Sequence, residues 1–420
     1  MGRDNRKKVS KFFSRTEHKA SPLCASKKFD NIQQRMEDNS ILPRFSKSEL
    51  TLGSLVGKGG FSLVFDLVNI NIDEVFDITK STADARRSIA AKACADHGLS
   101  KYVLKTLRDD LEEQDYAKGI IDLAVEARFL RKLNHPNIIA MVGTANSDPL
   151  ESRYFVILEK LDMTLEEKLN DWRREINKNW QIWCGAFGYC CANSVFMRNL
   201  WTERIHVALC VANAINYLHN ESIIYRDLKP ENIGFDIEGT VKIFDFGLAK
   251  RLTPDDRTAS GLYRLTGNTG SLRYMAPEVA TNQNYNLLAD SYSFSILFWQ
   301  VCALSVPYAR HNVRSHAEFV IGKGERPKIY KSWPLAWSML MSSCWSKNIN
   351  ERRDFAEIVQ NLTDEYNALV LQNGQRPTDI KAKKKSKDND IDTGLDLGHR
   401  RAYLDENGDT ILMEQSLGVV

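Results

Sequence analysis

A lysine, a glutamate and a cluster of glycines in the first third of the chain have the types and spacing that could hold a phosphate group. Alternating apolar residues between Leu52 and Leu67 predict two strands, with Gly57-Lys58-Gly59-Gly60 at the turn between them. Glycines let the backbone approach a ligand and aim N–H groups at phosphate oxygens. Such turns also join ordinary hairpins, so the loop alone leaves both interpretations open. No Gly-Lys-Ser or Gly-Lys-Thr follows the turn, so a Walker-type loop is not supported.

The lysine of this pattern is Lys105, at the end of a predicted short strand that starts at Tyr102. The next predicted helix has an apolar face formed by Leu123, Ala127, Leu130 and Leu133. Glu126 falls within that face, where a carboxylate is costly unless it is paired. Lys105 is the natural partner, because an amine held by a glutamate can be aimed at nucleotide phosphates. From these two residues alone, a solvated lysine and a different helix phase remain alternatives.

Three motifs later in the chain follow one another in a fixed order. They are Tyr225-Arg226-Asp227-Leu228-Lys229-Pro230-Glu231-Asn232, then Asp245-Phe246-Gly247, then Ala276-Pro277-Glu278. With this set, residues 50 to 366 resemble the eukaryotic protein kinase family, of the serine/threonine type. The resemblance implies an α+β, bilobal fold with a small β-rich N-lobe containing one key helix and a larger α-helical C-lobe. It also implies ATP and Mg²⁺ as cofactors, with Mn²⁺ as an alternative metal.

The resemblance assigns a chemical role to each polar residue of these motifs. Asp227 would accept or orient the proton of the substrate hydroxyl, and Lys229 would lie against the γ-phosphate. Asn232 and Asp245 would hold Mg²⁺, which prefers hard oxygen ligands. Lys229 and Ser271 both favour serine and threonine hydroxyls as acceptors. The implied reaction is therefore transfer of the γ-phosphate of ATP to protein serine or threonine.

The same resemblance names the residues that would hold the nucleotide. Lys105 and Glu126 join the catalytic group as the ion pair that positions the phosphates. Leu158 would be the gatekeeper at the start of the hinge. The predicted nucleotide-binding residues are Gly57, Lys58, Gly59, Val64, Lys105, Glu159 and Leu161.

The resemblance assigns structural roles to other matched positions. They are Leu130, Tyr225 and Phe246 in an apolar spine, the ion pair of Glu278 with Arg352, and Asp290 beneath the catalytic loop. Cys344-Trp345, with Arg352 and Phe355 at their spacing, is similar to the tyrosine-kinase-like branch. The chain departs from the family pattern at Ser62, Tyr225, Ser295 and Arg353, and none of these changes removes a catalytic group.

The charge distribution predicts one folded domain between two tails. Residues 1–48 hold twelve lysines and arginines against five acids, which predicts a disordered basic arm. Within it, the cluster of Arg6, Lys7, Lys8 and Lys11 suits a solvated tail better than a nuclear address or a phospholipid contact. The predicted division is a kinase domain at 49–368 (N-lobe 49–160, C-lobe 161–368), insertions near 70–100 and 172–201, and a disordered charged tail at 369–420. The tryptophans of the second insertion suit either a docking surface or, more simply, cover for the flank of the C-lobe itself.

Composition points to a reducing compartment and no obvious charged partner. The net charge is only +3, so no nucleic-acid partner is expected. The 8 cysteines are scattered along a chain that opens with charged residues, which favours the cytoplasm, with the nucleus as the alternative. The most apolar stretch, Ile182 to Met197, has 16 residues where a spanning helix needs about 20, so no transmembrane segment is expected.

Arg226, beside the predicted base, suggests regulation by phosphorylation. A guanidinium there can pair with a phosphate and order the activation loop. Thr266 and Thr269 are the first candidate acceptors for an upstream kinase. Two alternatives to an active serine/threonine kinase are a pseudokinase scaffold and a dual-specificity kinase. The presence of all the matched catalytic positions argues against the scaffold.

Overall fold

The structure is a computed structural model that describes residues 42–73, 80–93, 100–187, 194–374, 401–404 and 410–413. It divides into two compact units. The first contains the chain up to Thr164 together with Asn232–Ala249, and the second contains Leu165–Glu231 and the chain from Lys250 onward. Strands dominate the first unit and helices the second, which confirms the predicted α+β class.

The larger sheet of the first unit has six strands. Its strands are β1 (Arg44–Phe45), β2 (Leu50–Lys58), β3 (Ser62–Ile70), β4 (Tyr102–Leu107), β5 (Met141–Ala145) and β6 (Phe155–Glu159). They lie in the order β1-β5-β6-β4-β3-β2, with β1 parallel to β5 and the other pairs antiparallel. Leu104 of β4 is buried, as expected for an interior strand. The register sets Lys105 opposite Val64 on β3 and Val156 on β6.

Two helices accompany this sheet, α1 (Lys80–Ala93) and α2 (Glu113–Leu130). Acidic residues in the first turn of α2 interact favourably with the helix dipole. The buried face of α2 includes Leu123. Gly119 also lies on this buried face. A Cβ atom there would come within 2.8 Å of the Phe61 side chain, which explains why the residue is glycine. The predicted apolar stripe of α2 is confirmed except for Leu133, which lies beyond the end of the helix.

A second small sheet also belongs to the first unit. It consists of β7 (Leu161–Thr164), β9 (Ile233–Asp236) and β10 (Val241–Ile243), in the order β10-β9-β7. Ile243 adds a bridge to Ile138, so β10 is tied to the chain that follows α2. This grouping differs from the predicted division at residue 160, because strand pairing carries residues 161–164 and 232–249 into the first unit.

The second unit is mainly helical. Its helices are α3 (Leu165–Phe187), α4 (Ser194–Asn220), α5 (Pro277–Ala280), α6 (Leu288–Ala303), α7 (Val313–Ser315), a π-helix (His316–Gly322), α8 (Leu335–Cys344) and α9 (Phe355–Gly374). A short antiparallel pair joins β8 (Ile223–Ile224) to β11 (Lys250–Arg251). Helix α6 is buried on every side from Ala289 to Cys302. Helices α4 and α8 pack against it, and α4 also packs against α9.

The described part of the second insertion packs on its own unit. Trp172 is buried, and its indole N–H donates to Glu203 at 3.1 Å. The Trp201 ring lies 4.8 Å from the Trp337 ring of α8. These contacts favour the simpler interpretation, in which the insertion covers the flank of the unit. The side chains of Trp180 and Trp183 lie outside the described residues.

An arginine from this region completes the end of α6. The Arg204 guanidinium is buried, donates to the Val301 carbonyl at 2.7 Å and also contacts the Cys302 carbonyl. Burial lowers the pKa of Arg204 to about 10. The last carbonyls of a helix need partners of this kind, so Arg204 stabilises the C-terminus of α6.

The ends of the folded region differ from the predicted boundaries. β1 pairs with β5 and Phe45 is fully buried, so the folded chain begins before residue 49. Helix α9 runs to Gly374, past residue 368, and β12 (Arg401–Leu404) pairs antiparallel with β13 (Thr410–Met413) inside the predicted tail. The basic cluster of Arg6, Lys7, Lys8 and Lys11 lies outside the described residues. In the described ranges, no helix is both long and apolar enough to cross a bilayer.

Candidate active site

The glycine-rich turn forms the tip of the β2–β3 hairpin. Gly57 pairs with Val64 and Lys58 with Leu63, so these positions belong to the strands and not to the turn. The Gly59 N–H donates to the Ser62 carbonyl at 2.8 Å and closes the tip. A Cβ atom on Gly60 would meet nothing within 4 Å, so this part of the backbone is open for approach.

Lys105 and Glu126 form the predicted ion pair. The Lys105 Nζ lies 2.6 Å from Glu126 Oε2, and the glutamate side chain is only 2% exposed. Asp245 Oδ1 lies 3.9 Å from the same amine. Burial favours the neutral amine, but the charges of Glu126 and Asp245 outweigh it and raise the pKa of Lys105 above its usual value. The amine is therefore a fixed positive charge at neutral pH.

Asp245 stands in an unusual backbone conformation. Its φ is 64°, in the left-handed region that non-glycine residues rarely adopt, and such strain is often stored at functional sites. Its side chain is 47% exposed, whereas the next residue, Phe246, is fully buried. Phe246 packs near Phe129 of α2, with ring centroids 6.4 Å apart. The buried ring anchors the segment while the carboxylate faces solvent.

Asp122 is a further acid in this cluster that sequence analysis missed. Burial, reinforced by the charge of Asp245, raises the pKa of the Asp122 carboxyl to about 6. A Cβ atom on Gly247 would lie 3.3 Å from that of Asp122, so helix α2 and the Asp245 segment are in close contact. Asp122 precedes Glu126 by one helical turn, a spacing that could have revealed it. Three carboxylates thus surround a single lysine, which leaves an excess of negative charge.

Asn232, the other predicted metal ligand, belongs to the first unit together with strand β9. It is 4% exposed and immediately precedes that strand, and its carbonyl accepts from the Phe244 N–H at 3.0 Å. Asn232 and Asp245 therefore flank the β9–β10 hairpin. Magnesium is commonly held by one or two protein side chains together with phosphates. An amide oxygen and a carboxylate beside excess negative charge fit this requirement.

The predicted hinge residues lie at the end of β6 and the start of β7. The Glu159 carboxylate accepts from the Ala140 N–H at 2.8 Å and lies 3.0 Å from Lys242 Nζ. The Glu159 N–H donates to the Ala140 carbonyl, so an adenine contact at Glu159 would use its carbonyl oxygen. Leu158 is buried, and Leu161 is half-buried at the first position of β7.

In the second unit, Asp227 is the centre of a polar cluster. Its Oδ1 accepts from both the backbone N–H and the hydroxyl of Ser271, each at 3.0 Å. Its Oδ2 accepts from Lys229 Nζ at 2.7 Å. Asp227 is 8% exposed, so its orientation is well determined by these contacts. The contacts with Ser271 and Lys229 hold the carboxylate in place.

The backbone around Asp227 is held from below by Asp290. The two carboxylate oxygens accept from the N–H groups of Tyr225 and Arg226, each at 2.9 Å, and His219 contacts Oδ2 at 2.9 Å. Gly270 then approaches the same loop closely. A Cβ atom there would lie 2.3 Å from the Arg226 carbonyl oxygen, and the φ of Gly270 is 98°. Only glycine fits that position.

Arg226 connects the catalytic loop to the candidate phosphorylation segment. Its guanidinium donates to the Thr266 hydroxyl at 2.9 Å and to the Tyr285 hydroxyl at 3.3 Å. The Tyr285 hydroxyl in turn donates to the Thr266 carbonyl at 2.7 Å. Thr266 is exposed and Thr269 is half-buried. Tyr285 had no local signal in the sequence, because its contacts come from segments far apart in the chain.

The predicted pair of Glu278 and Arg352 is also present. Two parallel hydrogen bonds join them at 2.6 and 2.8 Å, and the arginine side chain is fully buried. This pair ties α5 to the chain before α9. It is a structural contact that holds the end of the activation segment.

Comparison with known proteins identifies the family. The sequence profile of the protein tyrosine and serine/threonine kinase family matches residues 88–362, more than half of the chain. The chain therefore belongs to the protein kinase family.

The relatives are kinases of plants and of Dictyostelium. The serine/threonine-protein kinase STY17 of Arabidopsis thaliana is 36% identical over 69% of this chain. The serine/threonine/tyrosine-protein kinase HT1 of the same plant is 29% identical over 62% of it, and the dual specificity protein kinase shkB of Dictyostelium discoideum is 37% identical over 34%. The matches cover 43%, 58% and 22% of those proteins, so the chain spans about half of their length or less.

Proposed function

We propose that this protein is an ATP-dependent serine/threonine protein kinase, which transfers the γ-phosphate of ATP to serine and threonine hydroxyls of protein substrates. The observation that carries the proposal is the Lys105 amine, held 2.6 Å from Glu126 and 3.9 Å from Asp245. A lysine fixed in this way is pre-oriented toward the phosphates of a nucleotide, so little reorganisation is needed on binding.

Asn232 and Asp245 are the residues that would hold Mg²⁺. The excess negative charge of Asp122, Glu126 and Asp245 around one lysine favours a cation at this place. When bound, the metal ion would supply positive charge that neutralises the phosphate oxygens. Among the described residues no group of three or more His, Cys, Asp or Glu forms a metal site, and a kinase Mg²⁺ site does not require one.

Asp227 would accept the proton of the substrate hydroxyl or orient that hydroxyl for attack. Its contacts with Ser271 and Lys229 hold the carboxylate in one orientation. The ammonium group of Lys229 would lie beside the transferred phosphate and offset its charge. This pairing supports serine and threonine as acceptors, as the resemblance implies.

We also propose that an upstream kinase phosphorylates the activation segment at Thr266 or Thr269. The Thr266 hydroxyl is exposed and already accepts a hydrogen bond from Arg226. A phosphate on that oxygen would meet the guanidinium directly and make a charge-assisted pair. For the compartment we propose the cytoplasm or the nucleus, which agrees with the free thiols of Cys210, Cys302 and Cys344.

The test is phosphate transfer to matched peptides. The purified protein is incubated with ATP and Mg²⁺ and with peptides that differ only in whether the acceptor is serine, threonine or tyrosine. We expect transfer to serine and threonine, and loss of at least about 100-fold in Asp245→Asn and Lys105→Met.

Three outcomes would contradict the proposal. Nucleotide binding by calorimetry without any transfer would show a pseudokinase. Equal transfer to tyrosine would show dual specificity, the activity for which the Dictyostelium relative shkB is named. Transfer that survives Asp245→Asn would show that the site is assigned wrongly.

A further inference from the structure

The second unit carries a cluster of arginines next to the segment that contacts Asp227. We call it the basic surface and define it by the exposed residues Arg273, Arg310 and Arg314. Arg273 follows Ser271 by two residues. Arg310 and Arg314 lie in the chain that leads through α7 into the π-helix, and this π-helix packs against α5.

In the described part of the chain, no ion pair involves Arg273, Arg310 or Arg314. Residues 305–333 contain six lysines and arginines against two glutamates, and residues 257–277 contain three arginines and no acid. Both glutamates are engaged, Glu318 with Lys323 at 2.9 Å and Glu325 with His311 at 3.2 Å.

A buried histidine two residues after Arg314 shows that Arg273 lies near this part of the chain. His316 is 2% exposed, and among the described residues neither of its ring nitrogens has a hydrogen-bond partner. Its ring meets the Tyr308 ring edge to face, at 5.2 Å. Burial, together with the positive charges of His311, Arg273 and Arg326, lowers the pKa of His316 to about 4. The charged groups that act on the His316 ring are all positive.

The position of Arg273 relates the basic surface to a peptide at the site. Ser271 contacts Asp227 through its backbone N–H and its hydroxyl, so the chain from Ser271 to Arg273 leads away from the carboxylate. An extended residue spans about 3.3 Å, and an arginine side chain adds roughly twice that reach. A charged group about four residues or fewer from the acceptor would therefore come within range of the arginines.

We propose that the basic surface selects protein substrates with anionic side chains on one side of the acceptor serine or threonine. These side chains would lie within about four residues of the acceptor. The proposal rests on the proposed kinase function. Either carboxylates or phosphorylated residues supply the required charge. Because the arginines are exposed, each contact contributes modestly and weakens with salt, so the preference comes from several contacts together.

The test compares a neutral peptide with peptides that carry one aspartate or one phosphoserine at each flanking position. Specificity constants are measured at low and high salt for the natural protein and for Arg310→Gln/Arg314→Gln. The matched control is Lys178→Gln, which changes an exposed lysine on α3.

We expect peptides with an anionic residue on one flank of the acceptor to be preferred. The double substitution should reduce the preference about three- to tenfold and leave the neutral peptide unchanged. The aspartate and phosphoserine series show which anion is preferred.

The inference is overturned if anionic peptides show no advantage, or if the double substitution and Lys178→Gln leave the advantage equally intact. It is also overturned if anionic vesicles or oligonucleotides bind the surface and anionic peptides do not. Failure of the kinase function itself is recognised separately, because the neutral peptide would then not be phosphorylated. In that case fluorescence anisotropy of a labelled anionic peptide on the full chain still decides whether the arginines bind it.

Discussion

Ser271 and Asp227 are joined twice, because the backbone N–H and the hydroxyl of the serine donate to the same carboxylate oxygen, each at 3.0 Å. The activation segment and the catalytic loop are therefore held together at the residue proposed to orient the substrate. Only the hydroxyl bond depends on the side chain, so substitution can remove one of the two contacts and leave the other.

We expect Ser271→Ala to lower kcat by about tenfold, because the substitution removes one of the hydrogen bonds that orient Asp227. Ser271→Thr keeps a hydroxyl and should restore the rate. The check is kcat and KM for both variants with one threonine peptide. Equal rates for the alanine and threonine variants would show that the backbone contact alone is sufficient.

Breaking the buried pair of Glu278 and Arg352 should destabilise the second unit. Arg352→Leu leaves the glutamate buried without its bidentate partner, and we expect a loss of about 3 kcal/mol. Glu278→Gln in the same chain should recover part of the loss, since the uncompensated charge is removed. Denaturant unfolding of the two single variants and the double variant measures the coupling. Additive losses would show that the two residues do not act as a pair.

The stability of the first insertion should depend on an ion pair that joins it to the start of the folded domain. Arg86 of α1 contacts Glu49 Oε1, and both side chains are 3% exposed. The same carboxylate accepts from the N–H groups of Ser46 at 2.6 Å and Asp73 at 2.8 Å. We expect Arg86→Leu to lower the melting temperature by several degrees and to speed hydrogen exchange in α1. The exposed Arg87→Leu is the matched control, and equal effects of the two substitutions would refute the role of the pair.

His316 should make the stability depend on pH. Its pKa is lowered to about 4, chiefly by burial, so between that value and the usual 6.5 the folded chain binds fewer protons than the unfolded chain. Stability therefore falls as the pH falls through this window, and the cost is absent at neutral pH.

We expect His316→Leu to reduce the loss of stability between pH 7 and pH 5 by about 1–2 kcal/mol. At neutral pH the substitution should be nearly neutral, because it removes buried nitrogens that lack partners among the described residues. Melting temperatures at the two pH values measure the effect, with His206→Gln as a control. An unchanged pH dependence in His316→Leu would contradict the assignment.

Much of the candidate site was predictable from the sequence. The ion pair of Lys105 and Glu126 followed from a carboxylate inside an apolar helical stripe, which needs a partner wherever the helix packs. Motif order identified Asp227 as the proposed base and Asn232 and Asp245 as the proposed metal ligands. The sequence did not reveal Asp122, Tyr285 or the pair of Glu49 with Arg86. The last pair joins residues 37 positions apart, so local patterns contain no sign of it.

The sequence by itself determined the family, the α+β class and the identity of the polar groups, because local periodicity and motif spacing reflect short-range backbone constraints. Only the tertiary structure decided which groups share an environment. Pairing of β9 with β7 brought Asn232 and Asp245 into the unit that holds Lys105, although they lie more than 120 positions further along the chain. Packing of the π-helix against α5 put His316 within the field of Arg273. Strand register and helix packing depend on burial summed over the whole unit, so a local pattern cannot specify them.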